Sequence, residues 1–255
     1  MAVARIAERH LSASARKAVE DLLRGDPDPK SNTFVTASAW ADDAKSDQDA
    51  HWHYINYHFR TDGKSTDNKP LPENVVWAIE RFSRELGDTS LPRERRRTAL
   101  KYLIHFVGDV HQPLHAVARD TDQFPKGDRG GNDFRLIGPP GLSPAPRTLH
   151  FLWDLGGGLF PPIARPLNAD RQAQLDRIVD DIARLHPKDS NPLERDLDPK
   201  VWAQESLFHA QRSVYNLEEQ AVPSPLYLAH CQALSAQRAS LAGYRLARLL
   251  NRILR

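Results

Sequence analysis

Apolar residues recur at helical intervals along most of the chain. Val3, Ile6 and Ala7, then Ala15, Ala18, Val19, Leu22 and Leu23, predict two short helices. Ser12 suits the N-cap of the second, and Gly25-Asp-Pro-Asp-Pro stops it. Ala37 to Lys45 has helical character, while 59–71 is polar, rich in turn formers and read as a loop. Val75, Val76, Ile79, Phe82 and Leu86 line one face of a helix over 74–86. Pro92 opens the next helix, which runs through Leu100, Leu103, Ile104 and Val107 to about Val110 before Pro113 breaks it. Most of the non-helical signal lies in 119–147, where Phe134-Arg-Leu-Ile admits a short strand of a small β-hairpin. A helix restarts at His150–Leu155, and others fit 168–185, 199–217 and 224–253. The expected fold class is all-α, a single mainly helical domain over 1–255 with long loops.

Composition narrows the function classes. The net charge of +2 supplies no global basic field for nucleic acid, so any polyanion contact must be local. The single cysteine, Cys231, excludes an internal disulfide. No run of eighteen apolar residues marks a membrane span, and Met1 to His10 lacks the apolar stretch of a signal peptide. A helical pattern already runs at residue 2, so either the helix begins there or a segment upstream is missing.

The chemistry-bearing residues are concentrated. His105 and Asp109 stand four apart, and His150 and Asp154 repeat that spacing. Residues i and i+4 share a helical face, so each pair can grip one ion. His115 follows the first pair, and Asp42 and His53 lie upstream. Carboxylates on apolar helices need a positive partner, and a divalent cation supplies one. Imidazole mixed with carboxylate and no thiolate suits a catalytic zinc site. Spacing alone does not choose among His51, His53 and His58. His111 lies on another face from His105 and suits an orienting or plainly structural role. Lys45, three residues after Asp42, is either an anion-stabilising cation or a solvated lysine. Arg93-Glu-Arg-Arg-Arg97 reads as a solvated face.

Together, Trp40-Ala-Asp42, His53-Tyr-Ile-Asn56, His105-Phe-Val-Gly-Asp109-Val-His-Gln-Pro-Leu-His115, Gly130-Gly-Asn132 and Leu149-His150…Trp-Asp154 resemble the zinc-dependent single-strand-specific nucleases. That superfamily includes bacterial zinc phospholipase C. The resemblance runs nearly end to end, including Trp202-Ala-Gln-Glu-Ser206 and Ala242-Gly-Tyr-Arg-Leu-Ala247. It implies a helical fold with a trinuclear zinc cluster in a cleft. By motif, Asp42, His53, His105 and Asp109 would hold one zinc, and His115, His150 and Asp154 a second. Asp109 would also reach a third. The family's opening Trp-Gly-x-x-Gly-His has no counterpart before Val3, so the expectation is two zinc ions plus one arm of a third, with the upstream segment missing.

The same resemblance implies hydrolysis of single-stranded DNA and RNA to 5′-phosphorylated products, with 3′-nucleotidase activity as a further share. Asp42 would orient the attacking water and Lys45 would steady the transition-state phosphate. Tyr54 and Asn56 would hold a base, and Asn132 would lie near the scissile phosphate. A monomer in a periplasmic or secreted setting is implied, with no protein partner. The rival readings are a zinc phospholipase C-type phosphodiesterase and an inactive zinc-binding remnant.

Overall fold

A computed structural model describes residues 1–255 as ten α-helices and one two-stranded sheet. The helices are α1 (Ala2–Arg9), α2 (Ala13–Leu23), α3 (Phe34–Ala37), α4 (Trp40–Ala44), α5 (Val75–Gly87), α6 (Arg93–His111), α7 (Leu149–Asp154), α8 (Ala169–Leu185), α9 (Pro199–His209) and α10 (Pro225–Ile253). The strands are β1 (Tyr57–Phe59) and β2 (Val117–Arg119). The all-α expectation holds.

Helix α6 is the centre. From Ala99 to Val107 every side chain is buried, so the helix is enclosed on all sides. Leu100, Leu103, Ile104 and Phe106 are fully covered, and each contributes about 1.5–3 kcal/mol. That outweighs burying the polar residues on the same helix, because those have partners. The Lys101 ammonium sits 2.5 Å from Asp26 Oδ2 and donates to Ser31 Oγ at 2.8 Å. Around α6 pack α1, α2, α5, α9 and α10 in the main apolar cluster. Helix α1 crosses α10 at Gly243, where a Cβ would stand 2.5 Å from Ile6 Cγ2. A second apolar cluster joins Trp153 of α7 to Phe134, Tyr215 and Tyr227.

Three local expectations need correction. The sheet is not a hairpin at Phe134–Ile137. It pairs β1 with β2 in parallel, Tyr57 opposite Val117 and Phe59 opposite Arg119, and Arg135 makes only an isolated antiparallel bridge to Thr148. Strands this short and distant in sequence have no periodic signature to read. The helix expected over 199–217 ends at His209 and continues as a π turn over Ala210–Val214. The Arg93–Arg97 run is not merely solvated. Arg93 Nε donates to Asp21 O at 3.1 Å, Arg96 Nε to Leu86 O at 3.0 Å, and Arg95 Nε to Glu85 Oε2 at 3.2 Å. It clips the start of α6 to the C-terminal turns of α2 and α5, where carbonyls attract cations.

Candidate metal centre

Three of the seven expected ligands, His105, His115 and His150, are aimed by bonds to backbone carbonyls. His105 Nδ1 donates to Ser38 O at 2.6 Å, which turns Nε2 inward beside Asp109, one turn further along α6. His53 closes a 3-10 turn over Ala50–His53, immediately before the segment that forms β1. The parallel sheet then has a direct consequence: Ile55 N donates to His115 O at 2.8 Å and His115 Nδ1 donates to His53 O at 3.0 Å. Strand pairing thus sets two histidines, sixty-two positions apart, side by side. His150 and Asp154 lie on α7, and His150 Nδ1 donates to Gly130 O at 2.8 Å. Such bonds fix the tautomer and the ring plane, leaving Nε2 as the free lone pair.

Two groups result. In the first, His53 Nδ1 lies 3.0 Å from His105 Nε2, and Asp109 Oδ2 lies 3.1 and 3.0 Å from those two atoms. Asp42 Oδ1 stands 3.7 Å from each. In the second, Asp154 reaches His115 Nε2 and His150 Nε2 at 3.6 Å. Asp109 connects them, with its other oxygen 3.9 Å from His115 Nδ1. Tetrahedral zinc with arms of about 2.0–2.1 Å sets its ligands roughly 3.3 Å apart. The first group brackets that value, and the second is slightly more open. His53 turns Nδ1 into the group while Nε2 stays buried without a hydrogen-bond partner. The donors therefore fit two zinc-sized ions.

The electrostatics point the same way. Burial works against charge on His115, but Asp109 and Asp154 raise it to about 9. His105 is also raised; burial opposes this, and Asp109 and Asp42 outweigh it. Burial opposes ionisation of Asp109 too, yet His105 and His115 hold it well below the usual carboxylate range. Asp154 is lowered against burial by His150 and His115. Three carboxylates converge here with a single lysine beside them, and a divalent ion can take the place of the ring protons.

The groups open onto a cleft of about 640 Å³. Asp42, Lys45, Asp109 and His150 line it, as do Met1 and the apolar Phe160 and Ile163 on another wall. Lys45 Nζ lies 3.4 Å from Asp42 Oδ1, so the expected pairing of these two is present. Tyr54, Asn56 and Asn132 stand outside the cleft walls. The Tyr54 carbonyl accepts from Val75 N at 3.1 Å, and Asn132 Nδ2 donates to Arg129 O at 2.9 Å. Of the three neighbouring histidines, only His53 joins a group. His51 faces Glu73 at 3.9 Å, and His58 bonds Asp120 at 2.7 Å. His111 is buried and joins neither group, with Nδ1 donating to Val107 O at 2.8 Å.

Sequence reasoning missed Gln112. Its Nε2 donates to Asp154 Oδ1 at 2.9 Å while its Oε1 accepts from Leu114 N at 2.5 Å. The signal was present in the Gly-Asp-x-His-Gln-Pro-Leu-His string, as the polar residue between the two ligand helices. The carbonyls of Ser38, Gly130 and His53 had no sequence signal at all.

Comparison with known proteins gives the family. The S1/P1 Nuclease family model matches residues 1–255. Nuclease P1 of Penicillium citrinum is 28% identical over 129 residues, 44% of this chain and 44% of that protein. Endonuclease 2 of Arabidopsis thaliana is 28% identical over 167 residues, 60% of this chain and 52% of that protein. The matches thus span about half the length of these two relatives. Endonuclease 4 of Arabidopsis thaliana is 26% identical over 272 residues, covering 98% of this chain and 86% of its own length. The helical fold, the two ligand groups in one cleft and the match along the whole chain lead to one assignment: the chain belongs to the S1/P1 nuclease family.

Proposed function

We propose that residues 1–255 form one zinc-dependent phosphodiesterase domain that hydrolyses single-stranded DNA and RNA to 5′-phosphorylated products, with 3′-nucleotidase activity as a second use of the same centre. The observation that carries this reading is the convergence of seven side chains into two groups joined by Asp109 at the cleft. In this reading Asp42, His53, His105 and Asp109 hold one zinc ion, and His115, His150 and Asp154 a second. Bound zinc supplies positive charge and brings the pKa of water from about 16 to near 7.

The rest of the work falls to the chain. Asp42, its side chain 56% exposed at the cleft, accepts a hydrogen bond from the attacking water and orients it. As the water gives up a proton to solvent its oxygen bonds to phosphorus and the P–O3′ bond breaks; O3′ takes a proton from solvent, and the phosphate stays on the 5′ side. Lys45, half exposed beside Asp42, offsets the charge that builds on the phosphate. Tyr54 and Asn56 continue directly from His53 toward β1, and we assign them to the base; a stacked base contributes about 1–3 kcal/mol. Asn132 belongs to the loop whose Gly130 and Gly131 carbonyls accept from His150, so we place it near the phosphate. A monomer in a periplasmic or secreted setting goes with this reading and is supported by the resemblance alone.

The test is hydrolysis of denatured DNA, duplex DNA and phosphatidylcholine, each with zinc and with a chelator. Release of 5′-phosphorylated products from denatured DNA, abolished by the chelator, is expected. Preferential turnover of phosphatidylcholine would make the centre a phospholipase instead. Chelator-resistant hydrolysis would remove zinc from the account.

A further inference from the structure

The steps above leave one buried polar cluster unused. It lies under the C-terminal end of α6, where helical carbonyls run out of backbone partners. Side chains take two of those carbonyls, Val110 O and His111 O, and add a second donor to Val107 O, which already accepts within the helix. His111 Nδ1 donates to Val107 O at 2.8 Å, Ser206 Oγ to Val110 O at 2.6 Å, and Arg238 Nε to His111 O at 3.1 Å. Arg245 Nη1 donates to His111 Nε2 at 2.9 Å, and Glu205 accepts from both arginines at 2.7 Å. Ser206, His111, Arg238 and Arg245 are all buried. Arg238 also lines the cleft.

Two buried guanidinium groups against one carboxylate are an expensive way to join helices, since apolar side chains of similar size hold helices at least as well. What apolar side chains cannot do is bond individual carbonyls. The helix end gripped here carries Asp109, which touches both ligand groups, and runs straight into Gln112, which bonds Asp154. We propose that Glu205, Ser206, Arg238, Arg245 and His111 form a positioning network for the metal centre. The network sets the end of α6 so that Asp109 and Gln112 meet their partners in both groups at once. It also gives a role to two sequence motifs far from the ligands, Trp202-Ala-Gln-Glu-Ser206 and the run through Arg245.

This inference rests on the metal reading, and its test separates the two. Ser206→Ala and Glu205→Gln are compared with the unaltered chain for zinc affinity by chelator competition, and for the visible spectrum after cobalt substitution. The melting temperature of the metal-stripped protein is followed alongside. Ser206→Ala is expected to weaken zinc binding about 10–100-fold and to alter the cobalt spectrum, with little change in metal-free melting. Glu205→Gln is expected to weaken zinc binding and alter the cobalt spectrum more strongly and, by leaving Arg238 and Arg245 without their carboxylate, to lower metal-free melting as well; if it does not fold, Ser206→Ala decides. Unchanged zinc affinity and an unchanged cobalt spectrum in the folded variants would overturn the positioning role and leave the metal reading standing. An unaltered chain that binds no zinc would overturn the metal reading, and this inference with it.

Discussion

Gly130 shows how one residue can be fixed by a distant ligand. Its φ is +61°, and a Cβ there would stand 2.3 Å from Leu114 O. The same residue's carbonyl accepts a hydrogen bond from His150 Nδ1 at 2.8 Å, so the loop passes close on both sides. Gly130→Ala should therefore destabilise the fold by about 1–3 kcal/mol and weaken zinc at the His115–His150–Asp154 group more than at the other. Thermal melting and a two-site zinc titration check this; an equal loss at both sites would contradict it. The His105–Asp109 and His150–Asp154 pairs were legible because four-residue spacing is written along the chain, whereas Asp42, His53 and His115 entered as ligands through the family resemblance. The choice of His53 over His51 and His58 was not, since it depends on where the strand places each ring. Asp42 and Lys45 were legible as a pair because they stand three positions apart at the end of a short helix, with Lys45 as the residue that follows α4.

Among elements, α6 does the most. Its apolar periodicity announced a helix, but not that it would be enclosed on every side. Tertiary packing decides that, and so does the pairing of Lys101 with Asp26. The β1–β2 pair was invisible for a related reason: three residues carry no period, and their partners lie far apart in sequence. Helix α9 gives a pH prediction. Burial and the nearby Arg238 charge lower His209 at its C-terminal end to about 4. A histidine whose pKa falls on folding contributes stability above about 6.5, its unfolded value, and that stability is lost as pH falls toward 4. His209→Gln should flatten the decline in urea midpoint between pH 6.5 and pH 4. A decline as steep as that of the unaltered chain would exclude His209 as a source.

For the whole molecule, the fold brings together ligands from α4, the turn before β1, α6, the turn before β2, and α7. The family pattern runs through all of these segments, and the all-α class was readable from it and from the apolar periodicity. The bonds that aim the ligands were not readable, because they run to backbone carbonyls that carry no side-chain signature. The account stands or falls on the claim that these seven residues hold two ions, one at Asp42, His53, His105 and Asp109 and one at His115, His150 and Asp154. The most direct test is the zinc content of the purified chain after equilibration with zinc and removal of the excess. The account predicts two zinc ions per chain, matching the two ligand groups, and one in His150→Ala. A chain that retains no zinc, or a content that His150→Ala leaves unchanged, would contradict it.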